Sequence, residues 1–392
     1  MYSMRRLTAS LAAFAACSLV HATPYVPKDG KQVLETLPNR YDPVQQAFSR
    51  MRAKLARDPE NLALANQLAQ MYITASRVDG DPRYLGYAQA VLKPWWTQPH
   101  PPEAVVLQRA IILQSTHQFG SALRDLDTVL AADPSNGQAW LTRATVLTVL
   151  GDYPEAKAAC EKLHKLAFEI VVQACIASIG SVSGEARTSY TDLSTALQAY
   201  PNLDSSLRIW VLTTLGEMAA RLGAPMEAEA HFRNAMALDK PDGYLLGAYC
   251  DFLLDQGRSA EVTALLKSRT RNDALLLRYA MAQKAQRAPD AAASTESLRQ
   301  RFAAAAMRGD TVHQREQARF ELHLLDDPAT ALRTALSNWQ VQKEPADLRI
   351  LLEAASAAKD QKAIALAVDW IGRTHVEDAS LTKLADMVRQ RK

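Results

Sequence analysis

Few stretches of this sequence space reactive side chains as chemistry requires. Ser356-Ala357-Ala358-Lys359 has the S-x-x-K spacing in which a lysine activates a serine. The partner serine and Lys-Thr-Gly elements of that chemistry are missing, and the surroundings read as an alanine-rich helix. Gly180 and Gly184 flank Val182, where a nucleophile elbow would carry its nucleophile, so this segment reads as a flexible turn. Asp79-Gly80-Asp81 opens like a calcium loop, but the remaining ligands are absent and a turn is the better reading. No two of the eight histidines stand three or four residues apart, as a helical metal site would need. HExxH, Walker A, GxGxxG and GxSxG patterns are all absent. The sequence therefore predicts no catalytic residues, no metal and no cofactor.

Four cysteines remain to be placed, and no CxxC pair suggests redox or zinc chemistry. Cys160 and Cys175 fall on consecutive predicted helices that should pack together. They are either a disulfide, worth roughly 3 kcal/mol in the loop-entropy model, or two buried thiols. Cys250 sits in an apolar helix and reads as a small core residue. Cys17 lies in the N-terminal segment.

That segment reads as a processing signal. Arg5 and Arg6 precede an uncharged run from Leu7 to Leu19, and Val20-His21-Ala22 offers small residues where a signal peptidase reads. Residues 1–22 are expected to be a signal peptide, giving a periplasmic or secreted protein. An uncleaved anchor is one alternative. Another is an outer-membrane lipoprotein through Cys17, because Phe14-Ala15-Ala16-Cys17 resembles a lipobox. No other stretch is long and apolar enough for a membrane helix. The whole chain carries 45 basic and 42 acidic residues. Losing Arg5 and Arg6 would leave it almost neutral, which argues against a nucleic-acid partner.

The remaining chain is built on a repeat. Ala110, Leu113, Ala122 and Leu126 recur one stride later as Ala144, Leu147, Ala156 and Cys160. The same stride carries Phe119 to Tyr153. Two strides further, after a short insertion, come Gly216, Ala219, Ala228 and Phe232. That longer step also takes Gly151 to Gly223, and a single stride takes Gly223 to Gly257. Upstream, Leu68-Ala69 and Tyr72 begin the same unit, and an insertion near Gly80 delays Ala88. Small residues at fixed positions let two helix backbones approach, and large ones fill the gaps between hairpins. The glycines suit left-handed turns that close the first helix of each pair.

This pattern resembles the tetratricopeptide repeat (TPR), here of an exported bacterial type. Leu215-Gly216, Gly223, Ala228, Phe232 and Ala235 carry the resemblance best, followed by Trp140, Ala144, Gly151, Tyr153 and Ala156. It implies an all-α fold, a right-handed α-solenoid of stacked antiparallel helix hairpins. The expected organisation is a signal peptide (1–22), an N-terminal extension and capping helix (23–57), TPR-like repeats (58–267), and degenerate C-terminal helical repeats with a cap (268–392). Within the extension, Val44, Ala47, Phe48, Met51 and Leu55 form the apolar stripe of a helix from Tyr41 to Arg57. After Asp273 the helices look longer, and Pro289, Pro328 and Pro345 each stand where one should begin.

A solenoid of this kind presents its first helices, the A helices, on a concave face. If the resemblance sets the register, that face carries Asn66, Gln67, Gln70, Gln108, Gln114, Thr142, Thr145, Thr148, Thr213, Glu217 and Arg221. Amides and hydroxyls both donate to and accept from a peptide backbone, so this face is a candidate groove for a polypeptide. Equally, the polar residues could simply keep the surface solvated. Trp95-Trp96 is either an exposed anchor or a seal beneath the following loop, and the seal is the preferred reading. The chain is expected to be a non-catalytic protein–protein interaction scaffold of the cell envelope, an assembly or maturation factor for example. The alternatives are a lipid-anchored structural protein and an enzyme with an unrecognised site.

Overall fold

The computed structural model describes Asp29 and residues 42–238, 241–310 and 312–390. The expected leader 1–22 with Cys17, and the segment 23–41 apart from Asp29, lie outside the described residues. The chain divides into two units, one ending at Arg50 and the other running from Met51 to Lys392. Helix α1 (Pro43–Arg57) crosses that boundary. In its first-unit half Phe48 is buried, whereas Val44 is exposed.

From Leu62 onward the described residues form helices in antiparallel pairs. The pairs are α2 (Leu62–Asp79) with α3 (Arg83–Trp96), α4 (Glu103–Ser115) with α5 (Phe119–Ala132), and α6 (Gly137–Leu150) with α7 (Tyr153–Glu161). Next come α8 (Glu169–Gly180) with α9 (Ala186–Gln198), α10 (Ser205–Arg221) with α11 (Pro225–Met236), and α12 (Gly243–Asp255) with α13 (Ser259–Leu266). The series continues with α14 (Asp273–Ala285) and α15 (Ala291–Met307), α16 (Gln314–His323) and α17 (Pro328–Val341), α18 (Pro345–Ala357) and α19 (Gln361–Thr374), and ends on α20 (Ala379–Gln390). Among the described residues there is no strand, and no helix is long and apolar enough to cross a membrane.

Local chemistry explains where helices start and stop. Asn61, Asn136, Asp204, Asp242 and Asn272 each accept a hydrogen bond from a first-turn amide of α2, α6, α10, α12 or α14, covering donors that the helix cannot satisfy itself. Pro328 and Pro345 open α17 and α18, where a missing N–H costs nothing. Gly80, Gly151, Gly223 and Gly257 take left-handed φ values of 63–80° in the turns within hairpins. Helices after Asp273 are no longer than the earlier ones: α15 has 17 residues and α16 only 10, against 18 in α2. The turns after α16 and α18 use Asp326 and Lys359 at left-handed φ of 55° and 56°. No glycine marks those breaks, so the sequence looks continuous there.

Packing follows the repeat. Ala110, Ala122, Ala144, Ala156, Ala219 and Ala228 are almost wholly buried. At Gly216 a Cβ would stand 2.8 Å from the Phe232 ring, itself 1% exposed. Cys160 at the end of α7 and Cys175 in α8 are joined as a disulfide, with Cα atoms 5.8 Å apart. Cys250 is a buried thiol, which burial pushes up to about 12.

Hairpins six places apart also touch, which the repeat alone does not announce. The Asn272 side chain donates to the Gly80 carbonyl, 192 residues back (3.0 Å). The Lys343 amide donates to the Val149 carbonyl (2.8 Å). The Ala186 amide donates to the Glu377 carboxylate, 191 residues on (2.7 Å). The array thus coils until a second turn rests against the first. The glycine turns of the first turn are the seats: Asn272 lies on Gly80, Trp370 on Gly151, His375 on Gly184 and Ala379 on Gly223. Gly257 and Gly309, further along, have nothing within 4 Å of a Cβ position.

Candidate partner-binding face

The threonines of the expected groove are largely occupied by their own helices. Thr142, Thr145, Thr148 and Thr213 donate to the carbonyls four residues back, at 2.7–3.0 Å. Thr142 and Thr213 are buried, as is Gln108 at 3% exposure, so these three are core groups and not surface contacts. The tight helix packing that small side chains permit brings their positions under the neighbouring hairpin. Thr145, Gln67 and Gln70 are exposed, while Thr148 and Gln114 are half-buried. Asn66 is half-buried, with a carbonyl oxygen that meets no partner.

Glu217 and Arg221, one turn apart at the end of α10, stand in a built polar site. The Tyr244 hydroxyl of α12 donates toward both Glu217 oxygens at 3.0 Å. An Arg221 nitrogen donates to the Ser181 hydroxyl at 2.9 Å, while its Nε is buried without a partner. Burial raises the Glu217 carboxyl above its ordinary range, against the pull of Arg221 and the Tyr244 bond. The Glu217 charge, then burial, raises the Tyr244 phenol well above 10. Yet Tyr244 keeps 58% of its surface open to solvent. It is an exposed aromatic within an enclosed polar setting. Burial, with a smaller contribution from Glu344 at the start of α18, raises the Tyr153 phenol, and the Glu344 charge adds to the upward shifts of Glu217 and Tyr244; His117 is lowered, first by burial and then by Arg315. The second turn therefore brings its own charge to the first turn's inner side.

Further along, the inner side is closed by ion pairs. Asp251 is bound by Arg278 and by Arg319 (2.8 Å). Asp255 takes a two-pronged contact from Arg349 (2.7 and 2.8 Å), 94 residues away. Glu353 accepts from Arg349 (2.8 Å) and faces His323 (3.0 Å). Burial alone would push Glu353 up, but His323 and Arg349 hold it at about 2. Acidic Asp251 and Asp255 are thus spoken for within the chain. On the helix-B side an open cleft of about 460 Å3 runs between α9, α10 and α11, lined by Leu197, Arg208, Leu212 and His231 among others. Trp95 and Trp96 are both half-buried. Arg109 donates to the Trp96 carbonyl (2.5 Å) and lies over its ring, tying α3 to α4. This is the sealing arrangement.

The expected serine–lysine pair resolves into the end of α18 and a left-handed turn at Lys359. Among the described residues no group of three His, Cys, Asp or Glu side chains gathers as it would to hold a metal. Sequence reading found Glu217 and Arg221 but missed Tyr244, Arg315 and Glu344. Tyr244 follows Asp242-Gly243, a capping signal readable in retrospect. Glu344 gives no signal, because it acts across the coil.

No family model matches the chain, and no curated protein matches it. Solved structures do. A tetratricopeptide repeat protein from Parabacteroides merdae is 16% identical, covering 61% of this chain and 92% of its own, with a TM-score of 0.46. Cut9, from the APC/C hetero-tetramer Cut9-Hcn1, is 14% identical over 86% of this chain and 60% of its own, with a TM-score of 0.48. The human IFIT1 dimer with m7Gppp-AAAA is 12% identical over 89% and 86%, with a TM-score of 0.47. Likeness at these levels decides nothing about ligand or role, and the fold stands on the chain's own geometry. Paired antiparallel helices at a near-constant stride, small residues at the crossings and left-handed turns between partners make this chain a tetratricopeptide-like α-solenoid.

Proposed function

We propose that the chain is a non-catalytic scaffold of the cell envelope that binds a polypeptide segment on its inner, helix-A side, around Tyr244, Glu217 and Arg221. Tyr244 carries this reading: an aromatic ring 58% exposed, fixed by a carboxylate, on the first helix of its pair, the helices that a solenoid of this kind turns to its concave side. Tyrosine supplies large contact area with few rotatable bonds and keeps a polar handle, which suits it to anchoring a partner. Glu217 and Arg221 beside it offer an acceptor and a donor for backbone groups. Export is supported by the Arg5–Ala22 pattern and fits a bonded Cys160–Cys175 pair. The role proposed for it there is assembly or maturation of another envelope protein.

Tyr244→Ala tests the reading in a crosslinking pull-down from the envelope fraction. The wild type should capture a specific polypeptide, and the variant should lose at least tenfold of that capture with its thermal unfolding unchanged. Equal capture by both proteins, or none by either, would remove the basis for this assignment.

A further inference from the structure

The cleft between α9 and α11, floored by α10, has a chemistry of its own. Leu197 of α9, Leu212 of α10 and Leu238, just past α11, line it with aliphatic surface. Ser194, Gln198 and Asn234 add a hydroxyl and two amides. Among the described residues lining it there is no carboxylate, but there are two basic groups, Arg208 and His231. His231 meets the Tyr190 hydroxyl at 3.0 Å, and burial, opposed by Glu227, lowers it, so near neutral pH its ring is uncharged. Arg208 is therefore the fixed charge of the cleft.

Many arginines of this chain meet a carboxylate, as Arg109, Arg258, Arg319 and Arg349 do. Arg208 instead donates through Nη2 to the carbonyls of Tyr200 (2.5 Å) and Pro201 (2.7 Å), just past the end of α9. That contact holds the guanidinium in place and uses both Nη2 hydrogens. A guanidinium has five N–H donors, so Nε and Nη1 still hold three, with no acceptor among the described hydrogen bonds. Asp204, one turn earlier, is occupied at the start of α10, where Oδ1 accepts from the amides of Ser206 and Leu207 and from the Ser206 hydroxyl. A fixed cation with open donors, set beside aliphatic walls that no acid shares, is complementary to a carboxylate carried among apolar groups.

We propose that this cleft binds a polypeptide segment in which one acidic side chain stands among aliphatic ones. The carboxylate takes the open donors of Arg208, the aliphatic side chains cover Leu197, Leu212 and Leu238, and Ser194, Gln198 and Asn234 bond the segment's backbone. A free fatty acid would meet the same arginine and leucines, but it has no backbone for the hydroxyl and amides, and the open cleft would leave its chain half in water. The cleft shares no residue with the Tyr244 side, and the proposal stands whether or not the inner side captures a partner.

The test uses random peptides displayed inside a surface loop of a carrier protein, so that neither end is free. They are panned in parallel against the full chain, Arg208→Gln and Asn234→Glu. Asn234 is exposed, so Asn234→Glu adds a repelling carboxylate at the rim without disturbing the core, and it keeps the test decisive if Arg208→Gln unfolds. Peptides enriched on the wild type should carry Asp or Glu flanked by Leu, Ile, Val or Met, and both folded variants should recover them at least tenfold less. An enriched peptide should shift the methyl resonances of Leu197, Leu212 and Leu238. Changing its acid to the amide should weaken binding to the wild type at least tenfold and leave binding to Arg208→Gln unchanged. No enrichment, enriched peptides without an acid, or equal recovery on Asn234→Glu would each overturn the proposal. Leucine shifts produced by decanoate and by no peptide would overturn it in favour of a fatty acid. The Tyr244→Ala pull-down is decided separately, since that substitution leaves the cleft intact.

Discussion

Single residues in this chain do different work at similar positions, and glycine shows this most clearly. Gly216 lies inside α10, where a Cβ would meet three Phe232 ring atoms at 2.8–2.9 Å. Gly86 lies inside α3, exposed, with nothing within 4 Å. Gly216→Ala should destabilise the protein by about 1–3 kcal/mol through overpacking. Gly86→Ala should stabilise it by about 0.5–1 kcal/mol, because alanine loses less entropy in a helix. Chemical denaturation of both variants checks the pair, and effects of the same sign would contradict the packing described. The requirement at Gly216 was legible in the sequence, since Leu215-Gly216 and Phe232 fall at the repeat's tight crossing. The requirements at Gly80 and Gly151 were only half legible. Their turn was readable from spacing, but the Asn272 and Trp370 side chains seated on them come from the second turn of the coil.

Elements after Asp273 are held by polar corners as much as by repeat-type packing, which is why the repeat fades there in the sequence. At the α17–α18 corner Asp347 is 1% exposed and accepts from Asn338 (2.9 Å), Gln342 (3.1 Å) and the Glu344 amide (2.9 Å). Burial, helped by Glu344 and opposed by Arg315, raises its carboxyl to about 6 from an ordinary 3.8. A raised carboxyl favours the protonated fold. Its contribution is therefore present below about pH 4 and is lost as pH rises through 6. Glu316 and Glu353, both held at about 2, act in the opposite sense and lose their contribution as pH falls from 4.5 toward 2. Asp347→Asn isolates the first effect. The stability of the wild type minus that of the variant should fall between pH 4 and 6, by on the order of 2 kcal/mol, and level off above. A difference that stays constant from pH 4 to 7 would show that Asp347 does not titrate in this way.

Over the whole molecule, the array of hairpins was readable because each unit repeats its own local chemistry. Capping Asn and Asp, closing glycines and buried alanines each need only a few neighbouring residues to act. The coil was not readable. Contacts such as Asn272 to Gly80 and Ala186 to Glu377 depend on small rotations added over six hairpins, and no single residue encodes those. The same accumulation decides the binding face. Of the polar residues expected to line an open groove, Gln108, Thr142 and Thr213 are buried. Glu217 instead meets Tyr244 of the next hairpin in sequence, and Arg221 reaches back to Ser181 of the preceding one. The assignment of that inner side as the place of partner capture is tested most directly by site-specific photocrosslinking in the native envelope. A photoreactive phenylalanine analogue replaces Tyr244 in one protein and Met226, 80% exposed on helix α11, in another. The account requires adducts to one polypeptide from position 244 and none to it from position 226. The same adduct from position 226, with position 244 silent, would put the partner on the helix-B side and contradict the account.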